Sequence, residues 1–145
     1  RVKYMVVSSS GGHFSQISML LEAIEQESVL ILNERVHKKF ICPTHKIIHT
    51  NSYFVMLFHV FEAIFFIIKY KPEVIITSGA APGTIFGIVG KYLFNSKFVF
   101  IESFSRVSTP SLSGKIASKF ANEYICQHEE LALSIESATF IRTIC

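Results

Sequence analysis

Apolar β-branched runs alternate with stretches of helical period along the chain. Tyr4-Met5-Val6-Val7 predicts a first strand over 3–8, and Ile17, Leu20, Leu21 and Ile24 share one face of a helix over 14–25. Residues 28–32 read as a second strand. Residues 46–49 read as a third, after a short charged segment at 34–40 that Pro43 breaks. Asn51-Ser52 offers an N-cap to a long helix over 53–70, which Lys71-Pro72 ends. Further strands are expected at 73–77, 97–101 and 123–126, with a last one at 140–144. Helices are expected from Pro82 to about Phe94, over 111–122 and over 129–136. Strand alternating with helix predicts an α/β fold, a Rossmann-like open parallel sheet with helices on both faces. No internal repeat, low-complexity tract or linker interrupts residues 1–145, so one domain is expected.

Three small-residue loops each follow one of these runs: Ser8-Ser9-Ser10-Gly11-Gly12-His13, Thr77-Ser78-Gly79-Ala80-Ala81-Pro82-Gly83 and Glu102-Ser103-Phe104-Ser105-Arg106. Open α/β sheets bind ligands outside the carboxyl ends of their strands, so three neighbouring strands would bring these loops to one ligand. Gly11-Gly12 at a helix start suits phosphate, because the backbone can be approached closely and its N–H groups are unpaired. Neither G-x-G-x-x-G nor a Walker A pattern is present, and a bare βα turn stays open as the alternative. His13 could hydrogen-bond a phosphate or act as a base, or could simply face water at the helix start. In the second loop Ser78-Gly79 is the ligand candidate, while Gly87 and Gly90 suggest close helix packing. Glu102 could orient a sugar hydroxyl or accept a proton, and Arg106 could grip a phosphate. The alternative for that pair is a local ion pair on a solvated loop.

Composition adds a surface to this picture. Half the residues are hydrophobic and only 17% are charged, against about 25% in ordinary domains, so apolar surface is expected to face a membrane or another protein. The helix over 53–70 concentrates it: His59, Glu62 and Lys69 form one narrow polar stripe, and the rest of the circumference is apolar. Crossing a bilayer would put parts of one sheet on opposite sides, which leaves burial under a neighbouring helix or docking to a membrane or partner. The net charge of +3 is mild and scattered, giving no nucleic-acid stripe. Three distant cysteines read as free thiols, with Cys42 and Cys126 as core residues. The six histidines show no metal-ligand spacing, so neither metal nor cofactor is expected.

Ser9-Ser10-Gly11-Gly12-His13, Ile76-Thr77-Ser78-Gly79-Ala80, Phe100-Ile101-Glu102-Ser103-Phe104-Ser105-Arg106-Val107, Ser111-Leu112-Ser113-Gly114-Lys115 and Gln127-His128-Glu129-Glu130-Leu131 occur in this order over nearly the whole chain. Together they resemble the PssD/CpsF family of bacterial capsule and exopolysaccharide proteins. That family is related to the membrane-recruiting subunit of the eukaryotic transferase acting on dolichol-pyrophosphate-linked sugar. The chain departs from the family pattern at His128 and at Arg142-Thr143-Ile144-Cys145.

The resemblance implies the N-terminal, acceptor half of a GT-B glycosyltransferase, similar to that of the peptidoglycan enzyme MurG. A separate donor-binding subunit would hold the UDP-sugar. Ser10, Gly11, Gly12, Ser78, Gly79, Ser103 and Arg106 would then bind an undecaprenyl-pyrophosphate-linked sugar acceptor, with His13 or Glu102 as catalytic base. Phe54, Phe58, Phe61, Phe65 and Lys69 would meet lipid or partner at the cytoplasmic face of the membrane. Because the chain opens at Arg1, an upstream anchor stays open as an expectation. Two other functions remain: a non-catalytic scaffold that activates its partner, and a free-standing nucleotide-binding module.

Overall fold

The computed structural model describes residues 2–8, 28–32, 44–46, 53–78, 81–102, 108, 110, 112–135 and 138–140. Within them seven strands form one sheet: β1 (Tyr4–Ser8), β2 (Ser28–Leu32), β3 (Thr44–Lys46), β4 (Val74–Ser78), β5 (Lys97–Ile101), β6 (Glu123–Cys126) and β7 (Ala138–Phe140). Their order is β3-β2-β1-β4-β5-β6-β7, and every pairing is parallel. The helices are α1 (Tyr53–Tyr70), α2 (Ala81–Phe94), α3 (Leu112–Phe120) and α4 (Glu129–Ser134). The expected open parallel sheet is therefore present. The third strand runs over Thr44–Lys46 rather than 46–49, and the last begins at Ala138 rather than Phe140. The expected helix at 14–25 and the N-cap at Asn51-Ser52 lie outside the described residues.

Parallel strands carry apolar residues on both faces because helices cover both. Met5, Val7, Val29, Ile31 and Ile75 pack against Ala63 and Ile67 of α1 and Phe86 and Val89 of α2. On β5 and β6, Phe98, Phe100, Tyr124 and Cys126 continue that layer under Ala117 of α3 and Leu131 of α4. Val6, Ile76, Val99 and Ile101 alternate to the opposite face and are also buried, so that face is covered too. Cys126 is a buried free thiol, as expected of a small core residue, whereas Cys42 lies outside the described residues.

Helices α1 and α2 return antiparallel to the strands and end at their amino edge. The Lys71 N–H bonds the Ile67 carbonyl at 2.7 Å with Lys71 at φ 47°, a left-handed cap, and Pro72 prevents continuation. The Val2 N–H bonds the Tyr70 carbonyl at 2.9 Å, which ties the foot of α1 to the start of β1. Gly87 lets α2 approach β5: a Cβ there would lie inside the Phe98 ring. Close packing thus accounts for Gly87, and for Gly90, whose added Cβ would strike Ile75.

Candidate functional site

The strand order reverses between β1 and β4: β1 connects on to β2 on one side, and β4 to β5 on the other. In open α/β sheets ligands bind in the crevice at the carboxyl edge of such a reversal. The first, second and third loops follow β1, β4 and β5, which are consecutive in the sheet. Ser8 and Ser78 are register partners, and their hydroxyls meet at 3.1 Å in a buried contact across the reversal. Ser78 is therefore at the crevice floor. Thr77 pairs with Val7 and Phe100, and its buried Oγ1 has no hydrogen-bond partner among the described residues. Gly83 of α2 covers it so closely that an added Cβ would lie 3.1 Å from the Thr77 Cβ.

Glu102 emerges from β5 fully buried. Its backbone N–H bonds the Ile125 carbonyl at 2.8 Å, and its Oε2 accepts the Tyr124 hydroxyl at 2.6 Å. Gln127 Nε2 donates to the Glu102 carbonyl at 3.4 Å. A buried carboxylate needs such donors, because desolvation without them is costly. The solvated-loop setting does not hold for Glu102, since its side chain is enclosed by β6. Tyr124 is a member of this corner that no sequence pattern marks, as it meets Glu102 only through strand pairing, whereas Gln127 stands in the 127–131 motif without a site role having been read for it. Nearby, burial pushes the Cys126 thiol up from its ordinary value, and the Glu102 charge adds to that push.

Helix α1 shows an unexpected sidedness. Phe58, Phe61, Phe65 and Ile68 project outward, with Phe61 63% and Phe65 61% exposed. Lys69 flanks this ridge and lies over the Tyr70 ring. The polar stripe is split: Lys69 is exposed, whereas His59 is buried, and its Nδ1 meets Glu62 Oε1 at 2.8 Å. The hydrophobic ridge took the outer position because the inner arc was filled by residues that touch the sheet, Ala63 and Ile67 among them. His45 on β3 bonds the Tyr70 hydroxyl and packs on Phe66. Burial, and then the Lys69 charge, hold the His45 ring below its ordinary pKa. At the amino edge, far from the crevice, a cavity of about 350 Å³ is lined by Ile67, Ile68, Lys71, Pro72, Phe94 and Ser96.

Of the sequence-derived candidates, Ser78 and Glu102 stand at the carboxyl edges of β4 and β5. Phe58, Phe61, Phe65 and Lys69 share one outer side of α1. Ser10, Gly11, Gly12, His13, Gly79, Ser103 and Arg106 lie outside the described residues, as does the Phe54 side chain. Among the described residues no helix is long and apolar enough to cross a membrane.

The model of the family "Oligosaccharide biosynthesis protein Alg14 like" matches residues 45–144, more than half the chain. The chain belongs to the Alg14-like family. This Alg14-like chain is 40% identical over 76 residues to the UDP-N-acetylglucosamine transferase subunit alg14 of Schizosaccharomyces pombe. That alignment takes in 48% of the chain and 35% of the yeast protein, so the chain spans about a third of its relative. Among solved structures, MurG of Acinetobacter baumannii matches with a TM-score of 0.69 at 13% identity, over 86% of this chain and 41% of MurG. The MnaA–UDP structure of S. aureus matches with a TM-score of 0.77 at 11% identity, over 97% of this chain and 44% of that one. UDP-GlcNAc 2-epimerase from Neisseria meningitidis matches with a TM-score of 0.71 at 9% identity, over 96% and 45%. The Alg14-like fold is thus that of one half of these two-part molecules, whereas identities this low carry no function.

Proposed function

We propose that this chain is the acceptor-binding, membrane-facing subunit of a glycosyltransferase whose UDP-sugar is held by a separate donor-binding chain. One observation carries the reading: in an Alg14-like chain, the carboxyl edges of β1, β4 and β5 are adjacent on a molecule whose α1 exposes an apolar ridge. A lipid-linked sugar needs both features, a polar mouth for the head group and an apolar flank for the membrane. The pyrophosphate would rest on Ser10, Gly11 and Gly12 with Ser78, Gly79, Ser103 and Arg106 around it. Phe54, Phe58, Phe61 and Phe65 would enter the lipid interface at the cytoplasmic face, and Lys69 would reach lipid phosphates. His13 is the base in this reading. The Glu102 carboxylate is enclosed and already accepts from Tyr124, which suits a residue that fixes the start of the third loop.

The carrier is a long polyprenyl pyrophosphate. Its undecaprenyl form would mark a bacterial capsule or exopolysaccharide setting, and its dolichol form the setting of the fission-yeast relative. The test is reconstitution of the chain with a donor-binding partner, UDP-N-acetylglucosamine and each lipid-linked acceptor. Transfer is expected only from the pair, and the acceptor that is elongated identifies the setting. Turnover by the isolated chain would overturn the division of labour.

The burial of Glu102 also favours a second reading, a scaffold that recruits and activates its partner without touching the reacting atoms. His13→Ala and Glu102→Ala separate the two: unchanged turnover with intact association supports the scaffold.

A further inference from the structure

Two side-chain polar atoms among the described residues are buried without a hydrogen-bond partner: Thr77 Oγ1 and His59 Nε2. A buried polar atom left unsatisfied costs about 1–3 kcal/mol, so a native protein that keeps two of them needs a reason. Both belong to the α1–α2 side of the sheet. Thr77 is paired with Val7, which packs in the core under α1 and α2. His59 lies one turn before Ala63 on the inner side of α1.

The height of His59 follows from helix packing. Phe66 of α1 stacks on Phe86 of α2, with ring centroids 6.4 Å apart. Both helices run the same way, so His59 stands about 10 Å from the Phe66–Phe86 layer toward the carboxyl edge, at the level where α2 begins. His59 is therefore a crevice-level residue on the helix side, and Thr77 is the β4 residue beneath that level. Glu62 accepts from His59 Nδ1 at 2.8 Å and so fixes the ring. A carboxylate on Nδ1 leaves Nε2, which is buried, with its hydrogen-bonding capacity unused.

We propose that His59, held by Glu62, is a ligand-binding residue of the crevice, whose Nε2 completes its hydrogen bonding on an oxygen of the acceptor's sugar–pyrophosphate head group. Thr77 Oγ1 supports it from the sheet. The inference deepens the acceptor-binding reading and rests on it for the identity of the ligand. The oxygen belongs either to a phosphate or to a sugar hydroxyl, and the two give different results in titration.

The experiment is nitrogen NMR of the His59 ring in the full chain, titrated with inorganic pyrophosphate and, separately, with a short-chain prenyl-pyrophosphoryl sugar. A shift of the Nε2 signal with pyrophosphate assigns a phosphate oxygen. A shift with the glycosylated analogue alone assigns a sugar hydroxyl. No shift with either overturns the proposal. In the reconstituted pair, His59→Phe is expected to raise or keep the melting temperature while lowering kcat/KM for the acceptor about tenfold or more, one lost hydrogen bond. A purely structural histidine would show the reverse, a lower melting temperature and unchanged kcat/KM. Should the pair transfer no sugar at all, the acceptor-subunit reading fails, while the pyrophosphate titration still decides His59.

Discussion

Tyr124 is the residue on which the third loop's start depends. Its ring stacks on Phe100 with centroids 5.4 Å apart, and its hydroxyl supplies a donor to the enclosed Glu102 carboxylate. Tyr124→Phe keeps the stacking and removes the donor, so a loss of about 1–3 kcal/mol is expected in urea denaturation. An unchanged midpoint would mean that Glu102 finds another donor. His45 makes a prediction in pH. Its folded value is held below the ordinary 6.5, first by burial and then by Lys69. The unfolded chain consequently takes up the proton first, and stability falls as pH drops from about 6.5 toward the folded value. Above that window the ring is neutral in both states and contributes nothing. Melting temperatures at about pH 7.5 and about pH 5.5 should differ less in His45→Gln than in the wild type, and equal differences would refute the assignment.

Among the elements, α1 and α2 carry opposite demands. Packing of α2 on β5 leaves no room at Gly87, where any side chain meets the buried Phe98 ring. Gly87→Ala should therefore destabilise by about 1–3 kcal/mol despite the better helix propensity of alanine, because overpacking outweighs it. Calorimetry would show this as a lower melting temperature, and a raised one would sink the packing argument. The outer side of α1 asks the reverse. Phe61 and Phe65 are largely exposed, so Phe61→Asp with Phe65→Asp should leave folding nearly intact. The same pair should weaken co-sedimentation with anionic vesicles at least about tenfold, since each ring forfeits roughly 1.5–3 kcal/mol of burial in lipid. Full binding by the double variant would move the membrane contact elsewhere.

As a whole molecule, the chain combines adjacent carboxyl edges of β1, β4 and β5 and an apolar flank in a fold that corresponds to less than half of the structures it resembles. In the proposed reading that edge is completed by a separate donor-binding chain. Purification from membranes should hence recover a second polypeptide with this chain. Loss of that polypeptide should abolish transfer without changing the chain's melting temperature by more than a few degrees. Recovery of the chain alone, fully active, would contradict the two-subunit arrangement.

Most elements were legible because their signals are local. The run over 97–101 and the helix over 53–70 begin and end where expected, since residue spacing and Pro72 act within a few positions. The strands before the three short loops were also legible as neighbours, and β1, β4 and β5 are consecutive in the sheet. The outer flank of α1 was legible too, since Phe58, Phe61 and Phe65 are exposed as expected, whereas the burial of His59 was not. His59, Glu62 and Lys69 mark a polar stripe in one dimension, yet which arc meets the sheet depends on where Ala63 and Ile67 find the core. Tyr124 and Glu102, or Ser8 and Ser78, are far apart in the chain and meet only through strand order. Periodicity within one element reports what that element is. Contacts between distant elements are chosen by the packing free energy of the entire sheet, and so the Ser8–Ser78 contact, the buried Glu102 carboxylate and the burial of His59 became visible only in three dimensions.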